Sequence, residues 1–222
     1  MSKKGKLDII YEDKYFIVVN KPSGLLTVST DKEKEKTLFH KVLEYEKKKN
    51  KNNKIFILHR LDKDTSGIVI LAKDQKLKLT LQNNWNNFVK LRSYVAVVEG
   101  IPSKESDTVK SYLTEDKTLR TYITSSKNGN LAITKYRVVS KNNNYSLLQV
   151  EIKTGRKNQI RVQLNSIGNP IIGDKKYGAK TNPINRLGLH ANKLVLVNPI
   201  TKKEMSFETD IPDEFVNLFI KK

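Results

Sequence analysis

The sequence contains no cysteine among its 222 residues. This absence excludes disulfides, thiolate zinc sites and cysteine nucleophiles. Histidine is also scarce, and His40, His59 and His190 are too far apart in the sequence to suggest a metal cluster. We therefore expect no metal site, structural or catalytic.

Long apolar runs are absent as well. No run reaches the roughly 18 residues needed to span a bilayer, and the N-terminal stretch MSKKGKLDII lacks the apolar segment of a signal peptide. We therefore expect a cytoplasmic protein that does not bind membranes. No hydrophobic surface stripe is evident in the sequence, so we expect a monomer with no obligate protein partner.

Acidic residues are few relative to basic ones. Lys and Arg number 42 against 23 Asp and Glu, which gives a formal net charge of +19. Such an excess is typical of proteins that bind polyanions such as nucleic acids. A plainer explanation also fits, because runs such as KKKNKNNK at 47–54 can arise from biased codon use and form solvated surface. Charge alone favours a nucleic-acid partner and indicates no activity.

The hydrophobic pattern predicts short strands interspersed with helices. The predicted strands are 9–11, 16–19, 55–58, 68–71, 93–98, 108–113, 131–139, 145–152, 189–197 and 205–208. The predicted helices are a first helix that ends near residue 48, two helices over 75–88 and 157–166, and a closing helix that begins at residue 212. This order favours an α+β fold, with a mixed, largely antiparallel sheet and flanking helices, over a doubly wound one. No repeat or linker is evident, which predicts one domain over residues 1–222.

The segment HRLDKDTSG, residues 59–67, lies between two of the predicted buried strands. Polar side chains on a loop between rigid strands are suited to binding or catalysis. A plain surface turn fits the same residues, with Asp64 and Thr65 bonded to backbone amides and Gly67 at the corner. The residues of this segment alone leave both interpretations open.

The segment TGRKNQIRVQ, residues 154–163, forms a second polar cluster. If its core is helical, Lys157 and Arg161 lie four residues apart, as do Gln159 and Gln163, so one face presents cationic and amide groups. By itself the segment is better explained as a solvated basic helix.

These two segments occur together with NKPSG, SYVAVVEG, PIIGDKKYG and LGLHANKL, in order from about residue 7 to residue 215. Taken together they resemble the RluA-type family of RNA pseudouridine synthases. The hallmark H-R-L-D-x-x-T-S-G loop of that family is matched at residues 59–67, followed by an apolar strand and Ala72-Lys73. The resemblance implies a pseudouridine synthase fold and an enzyme that isomerises uridines in ribosomal or transfer RNA. No cofactor is expected, because isomerisation needs neither redox chemistry nor an added group.

By this resemblance Asp62 is the essential aspartate. A carboxylate suits the reaction, because breaking the bond between ribose C1′ and uracil N1 develops positive charge on the sugar. Asp62 could trap the sugar, add to C6 of the base or remove a proton to give a glycal, and the sequence leaves these routes open. Tyr94 matches the active-site tyrosine of the family, which can stack on the base and help to move a proton. Arg161 matches the arginine that pairs with the aspartate and favours its charged form.

The remaining candidate residues concern the RNA. The target uridine must leave its stack to be reached, and Arg60 is our candidate to fill the vacated space. Leu189 is expected to form an apolar wall of the uracil pocket, although a plain core leucine fits nearly as well. Arg156 and Gln159, from the second polar cluster, are also expected to contact the RNA.

The chain departs from the family pattern G-R-x-H-Q-x-R-x-H at Asn158 and Gln163, where histidines are usual. Both replacements keep hydrogen-bonding capacity but lose a titratable imidazole. Many relatives also carry an N-terminal S4 RNA-binding domain, whereas the first strand predicted here begins almost at once. We therefore expect the catalytic domain itself to hold the substrate.

Two other functional classes remain open at this stage. One is a catalytically idle RNA-binding or ribosome-assembly factor on the same scaffold, suggested by the charge and by the two replaced histidines. The other is a glycosidase or nucleoside hydrolase that uses Asp62 and Asp64 as a carboxylate pair and releases free uracil. The sequence does not indicate which RNA or which uridine is the target.

Overall fold

The computed structural model describes residues 7–31 and 33–220. The chain divides into two compact units, of which the first comprises Met1–Lys90 and Asn192–Thr209 and the second comprises Leu91–Ala191 and Asp210–Lys222. Each unit is thus built from two separate stretches of chain. The expectation of one domain over residues 1–222 stays a prediction.

The described residues contain strands and helices in an irregular order. The strands are β1 (Ile9–Glu12), β2 (Phe16–Lys21), β3 (Phe56–Ile57), β4 (Ser66–Ala72), β5 (Val89–Glu99), β6 (Ser106–Glu115), β7 (Thr121–Thr124), β8 (Asn130–Lys141), β9 (Tyr145–Ile152), β10 (Leu189–Val197) and β11 (Glu204–Glu208). The helices are α1 (Leu38–Lys49), α2 (Gln75–Asn83), α3 (Trp85–Phe88), α4 (Gln159–Ser166) and α5 (Asp213–Val216). Their order and pairing confirm the predicted α+β class. Within the described ranges, no helix is long and apolar enough to cross a membrane.

The first unit contains a sheet in the order β1-β2-β4-β10, in which β3 also pairs with β4 and β11 pairs with β10. The strand pairs β1–β2, β2–β4, β3–β4 and β10–β11 are antiparallel. Every residue of β4 is buried, as the continuous apolar run at 68–71 predicts. Phe16 and Val18 of β2 pack in one core with Leu77 and Leu81 of α2.

The second unit contains an antiparallel sheet in the order β5-β9-β8-β6-β7. Two buried clusters support it. One contains Val95, Val97 and Phe215, and the other joins Leu113 to Val162 of α4. The strands predicted at 108–113, 131–139 and 145–152 pair in antiparallel fashion, in agreement with the expected largely antiparallel sheet.

The observed secondary structure differs from the predicted one in three places. The helix predicted over 75–88 is interrupted at Asn84, whose side-chain amide donates to the carbonyl of Thr80 at 3.3 Å and whose backbone leaves helical geometry. An asparagine amide that bonds to nearby backbone competes with helix continuation in this way. The short strand β7 was missed, and the closing helix α5 spans only four residues.

Candidate active site

The HRLDKDTSG segment connects β3 to β4 in the first unit, as the sequence predicted. Asp62 is half-buried, whereas its neighbour Leu61 is buried and Arg60 is exposed. A tight turn follows Asp62, because the amide of Thr65 donates to the Asp62 carbonyl at 3.2 Å. Asp62 therefore lies on a short turn between two buried residues, Leu61 and Thr65.

A buried lysine supports this turn from the NKPSG segment. Lys21 has no exposed surface, and its ammonium group donates to the backbone carbonyls of Pro22 at 3.1 Å, Leu25 at 2.7 Å and Lys63 at 2.9 Å. The amide of Gly24 donates to the same Lys63 carbonyl at 2.9 Å. Because a buried cation is costly unless hydrogen-bonded, these three carbonyls must stay in place around it.

The hydroxyl groups of Ser23 and Thr27 also bond to the backbone of this turn. Thr27 Oγ1 donates to the Leu61 carbonyl at 2.7 Å and accepts from the Leu61 amide at 3.2 Å. Ser23 Oγ donates to the Asp64 carbonyl at 2.7 Å. The backbone is thus fixed before and after Asp62, the kind of support that a precisely oriented functional group requires.

The histidine of this motif has a structural contact. His59 Nε2 accepts a hydrogen bond from the Ile70 amide at 3.3 Å, and its ring lies 5.6 Å from that of Trp85. A ring nitrogen that accepts a hydrogen bond carries no proton. In this geometry His59 joins the start of the loop to β4.

In the second unit, Tyr94 and Leu189 lie on strands. Tyr94 lies on β5 opposite Val150, with 9% of its surface exposed, and its carbonyl accepts from the Gln149 amide group at 3.1 Å. Leu189 begins β10 and is buried. The predicted contacts of both residues with uracil remain predictions.

Arg161 lies on α4 and is buried, with its guanidinium group held in a fixed orientation. Its Nε and Nη2 donate to the two carboxylate oxygens of Asp174 at 2.7 and 2.8 Å, and its Nη1 donates to Asn158 Oδ1 at 2.8 Å. Its Cζ lies 5.0 Å from the ring centre of Tyr177. A bidentate pair of this kind restricts the guanidinium plane.

Sequence reasoning missed Asp174, which lies in the PIIGDKKYG motif. Asp174 is buried and its Oδ1 also accepts from the Tyr177 amide at 3.2 Å. The preceding Gly173 has a φ of +74°, and a Cβ there would lie 2.3 Å from the Arg186 carbonyl. The glycine in this motif therefore lets the chain turn tightly just before Asp174. The PIIGDKKYG motif could have indicated that Asp174 has a role, but it does not indicate that Asp174 pairs with Arg161.

Asn158 occupies one of the two positions where the family usually has histidine. Its backbone is left-handed, with a φ of 52°, a conformation that asparagine tolerates better than most residues. Its Oδ1 accepts from Arg161, and its Nδ2 donates to the Tyr177 hydroxyl at 3.0 Å. The asparagine amide thus links Arg161 to Tyr177.

Gln163 occupies the other position and is fully buried. Its Nε2 lies within hydrogen-bond distance of the Val109 carbonyl at 3.2 Å, Ser111 Oγ at 2.9 Å and the Ala132 carbonyl at 3.1 Å. These contacts join α4 to β6 and β8. The role of Gln163 in this geometry is to attach the helix to the sheet.

Gln159 and Arg156 were predicted to contact RNA. The Gln159 amide is used inside the protein, since its Nε2 donates to Thr134 Oγ1 at 2.9 Å and its Oε1 accepts from Thr154 Oγ1 at 2.8 Å and from the Arg156 amide at 3.0 Å. Arg156 is exposed, and its Nε donates to the Leu131 carbonyl at 3.1 Å. Gln159 therefore shapes the backbone that carries Arg156.

Sequence reasoning also missed Arg92, on β5 two residues before Tyr94. Its Nη2 donates to the Lys153 carbonyl at 3.0 Å, and a Cβ at Gly155 would lie 2.7 Å from its Nη1. Burial lowers the pKa of Arg92 from its usual value. The glycine of the TGR segment leaves room for this guanidinium group.

His190 follows Leu189 on β10 and is buried. Burial, and then the positive charge of Arg186, lower the pKa of His190 to about 4. Its imidazole is therefore neutral at physiological pH. It does not supply a group that titrates near pH 7.

Comparison with known proteins identifies what this chain is similar to. The RNA pseudouridylate synthase family model matches residues 15–166. An uncharacterized RNA pseudouridine synthase of Bacillus subtilis, YhcT, is 34% identical over 216 residues, which cover 96% of this chain and 72% of that protein. Ribosomal large subunit pseudouridine synthase D of Haemophilus influenzae is 33% identical over 226 residues, covering 96% of this chain and 69% of the relative.

Two solved human structures share the fold. Human RNA Pseudouridylate Synthase Domain Containing 4 aligns with a TM-score of 0.78 at 24% identity, covering 94% of this chain and 90% of the other. Human RNA Pseudouridylate Synthase Domain Containing 1 aligns with a TM-score of 0.74 at 20% identity, and the alignment covers 99% of this chain and 96% of the other.

Proposed function

Because the chain belongs to the RNA pseudouridylate synthase family, we propose that it isomerises specific uridines in structured RNA with Asp62 as its catalytic carboxylate. RNA pseudouridine synthase activity is that of the family. The proposal concerns Asp62, the flipped substrate base and the RNA. Ribosomal RNA is the favoured substrate, because the Haemophilus influenzae relative is named for the large ribosomal subunit.

The observation that carries the proposal is the support around Asp62. Lys21, Thr27 and Ser23 bond the backbone at residues 61, 63 and 64, so the turn is held on both sides of the carboxylate. A surface turn with no function would not require a buried ammonium group. Catalysis at a sugar carbon does require such support, because misplacing a reacting group slows the reaction severely.

The reaction breaks one bond and forms another without a net change in composition. In the covalent route, a carboxylate oxygen of Asp62 bonds to C1′ as the C1′–N1 bond breaks. The electron pair of the C1′–N1 bond stays on N1 of the departing uracil. After the base turns, C5 bonds to C1′ and the carboxylate departs. C5 then loses its proton and N1 gains one. Addition of Asp62 to C6 and a glycal route give the same product.

The other candidate residues receive roles from the family resemblance. Arg161 is proposed to keep the catalytic carboxylate ionised, with Asp174 as the residue that orients its guanidinium group. Tyr94 is proposed to stack on uracil and assist proton movement, and Leu189 to contact the base. Arg60, which is exposed, is proposed to occupy the space left by the flipped uridine.

The remaining proposals concern binding of the RNA backbone. Exposed Arg156 is proposed to contact phosphate, which would make binding salt-dependent. Gln159 is proposed to act on the RNA indirectly, by holding the Arg156 backbone. We further propose a cytoplasmic monomer that needs no protein partner.

The proposal is tested by mapping pseudouridine in ribosomal and transfer RNA from cells that lack this protein. Complementation uses the wild type, Asp62→Asn or Asp64→Asn. Asp64 is a matched control, because it lies on the same turn and is exposed. We expect one discrete uridine to lose its modification, and the wild type and Asp64→Asn to restore it. Restoration by Asp62→Asn, or no change at any uridine, would contradict the proposal.

The other two classes are less well supported. The relatives are named as synthases, which does not favour a catalytically idle RNA-binding or assembly factor. Asn158 and Gln163, which suggested that reading, have structural contacts that account for them. A hydrolase that uses Asp62 and Asp64 would release free uracil, so measuring uracil in the reaction mixture separates it from an isomerase.

A further inference from the structure

A groove in the first unit lies between α1 and the segment that leads into β3. Its volume is about 680 Å³, within the range of roughly 300–1,000 Å³ typical of ligand sites. It is lined by Phe39, Leu43, Lys47, Lys51, Asn52, Asn53, Lys54, Ile55 and Phe56. Phe39, Leu43 and Lys47 are spaced four residues apart and so share one face of α1.

The groove combines an apolar floor with a cationic rim. Phe39, Leu43 and Phe56 are partly exposed, and Lys47, Lys51 and Lys54 are exposed. None of the nine lining residues is acidic. Partly exposed aromatic rings beside lysines suit a ligand with flat apolar groups and negative charges.

The turn that follows α1 and carries Lys51 is held by specific bonds. The amides of Asn52 and Asn53 donate to the side chain and the carbonyl of Asn50, each at 2.9 Å. Asn53 Nδ2 donates to Glu46 Oε2 at 2.9 Å. The Lys/Asn run at 47–54 thus forms the end of α1 and a defined turn after it, with Lys47, Lys51 and Lys54 exposed.

The two acidic residues of α1 contact residues other than Lys47, Lys51 and Lys54. Glu44 Oε1 lies 3.4 Å from His40 Nε2, and Glu44 does not line the groove. The Glu46 carboxylate is buried and pairs with Lys49 at 3.0 Å and Lys73 at 3.2 Å. Among the described residues, no ion pair involves Lys47, Lys51 or Lys54. Three cations therefore border the groove without a carboxylate partner there.

We propose that this groove is a second RNA-binding site, which takes a single-stranded segment of the substrate RNA away from the reacting uridine. Bases pack on Phe39 and Phe56, and phosphates bind Lys47, Lys51 and Lys54. Aromatic surfaces combined with a basic rim are the usual means of holding single-stranded nucleic acid. The inference rests on the proposed function only in taking RNA as the ligand.

The first test measures binding of a labelled oligouridylate over a series of salt concentrations. The groove variant carries Lys47→Ala, Lys51→Ala and Lys54→Ala, and the control variant carries Lys76→Ala, Lys127→Ala and Lys203→Ala, which removes equal charge from exposed positions elsewhere. Each lost phosphate contact lowers the slope of log affinity against log salt by about 0.7 for a single strand. We expect the groove variant to lose up to about 2 units of slope and the control to lose much less.

A second test separates stacking from charge. Phe39→Leu keeps apolar volume but removes the aromatic face, whereas Phe39→Tyr keeps it. We expect Phe39→Leu to weaken oligouridylate binding about 5-fold or more with an unchanged salt slope, and Phe39→Tyr to bind like the wild type. Thermal unfolding of each variant establishes that the fold is retained.

The inference is overturned if the groove and control variants lose affinity equally, or if neither groove change affects binding. A crosslink from thiouridine-substituted RNA to the peptide 39–56 would support it. Pseudouridine formation by the wild-type protein is measured in parallel, so that the two proposals can fail separately. An inactive wild type argues against the proposed function, whereas an active enzyme with an unaffected groove variant argues against the groove alone.

Discussion

The buried ammonium group of Lys21 donates a 2.9 Å hydrogen bond to the carbonyl of Lys63, the residue directly after Asp62. The two residues are 42 positions apart in the sequence. This bond therefore couples the NKPSG segment to the turn that carries the proposed catalytic carboxylate.

Replacing Lys21 tests this coupling. Lys21→Met keeps nearly the length of the side chain but removes the ammonium donor to the carbonyls of Pro22, Leu25 and Lys63, of which, in the part of the chain that the structure describes, only the Lys63 carbonyl keeps a second donor, the Gly24 amide. An acceptor left unsatisfied in the interior costs about 1–3 kcal/mol. We expect the free energy of unfolding to fall by several kcal/mol and kcat to fall at least about 10-fold in the folded fraction, because the turn loosens. Urea unfolding and single-turnover assays measure the two effects. Lys76→Met, at an exposed position, should change neither, and an unaltered kcat in Lys21→Met would contradict the coupling.

Asp174→Asn tests whether Asp174 positions Arg161. The change removes the charge of the bidentate partner of a buried guanidinium group, and breaking such a pair costs about 3–5 kcal/mol. We expect a fall in kcat that exceeds any change in KM. The same substitution is also made in the Arg161→Met variant. If Asp174 acts by positioning Arg161, Asp174→Asn should have little further effect on kcat there. Additive losses in the double variant would mean that Asp174 acts independently of Arg161.

Gln163→Leu tests the departure from the usual histidine. The amide bonds to carbonyls of β6 and β8, so the leucine variant should be less stable by about 1–3 kcal/mol. We expect kcat in the folded fraction and its pH profile to stay the same, because the role is structural. Denaturant unfolding and a pH series of kcat are the measurements. A large loss of kcat at full folding would instead assign Gln163 to the chemistry.

The pKa of His190 predicts how stability depends on pH. That pKa is lowered to about 4, against an ordinary value of about 6.5, so between these values the unfolded chain binds a proton that the folded chain does not. Stability should therefore fall as the pH drops from about 6.5 to about 4, by about 3 kcal/mol in total. Urea unfolding at several pH values measures how the free energy of unfolding changes with pH. His190→Gln should reduce this change between about pH 6.5 and pH 4, and an equal change in that variant would rule out His190 as the cause.

Glu12 titrates in a lower range and does not obscure this measurement. Burial acts to raise its pKa, but hydrogen bonds from Lys49, Lys73 and Tyr45 outweigh burial and lower the pKa to about 2. Its stabilising contribution is complete above about pH 4.5 and is lost only as the pH falls toward 2.

The sequence predicted the elements whose pattern is local. The strand 145–152 was predicted to the residue, because its side chains alternate along the pleat and turns bound it on both sides. The strand β7 was missed because it is short and its two apolar residues, Tyr122 and Ile123, are adjacent and both exposed, so the alternation typical of a strand is absent. Asn84 could not be recognised as a helix break, since its bond to the Thr80 carbonyl depends on the backbone geometry itself.

The candidate site was predictable in its motifs and unpredictable in its supporting contacts. The HRLDKDTSG loop could be read from its residues and from the family resemblance. The burial of Lys21 could not, because lysine is usually exposed and its three acceptors are backbone atoms with no sequence signature. Likewise, nothing local in TGRKNQIRVQ indicates that Asp174, 13 residues beyond Arg161, binds its guanidinium group.

The first unit is assembled from two stretches of chain separated by the whole of residues 91–191. Its core includes Leu194, Leu196 and Phe207 beside Phe16 and Ile70. During synthesis the apolar side chains of β2 and β4 therefore stay incompletely packed until β10 and β11 have left the ribosome. A premature stop before residue 192 would leave that core open, and the truncated product would be a substrate for chaperones and proteases rather than a stable fragment.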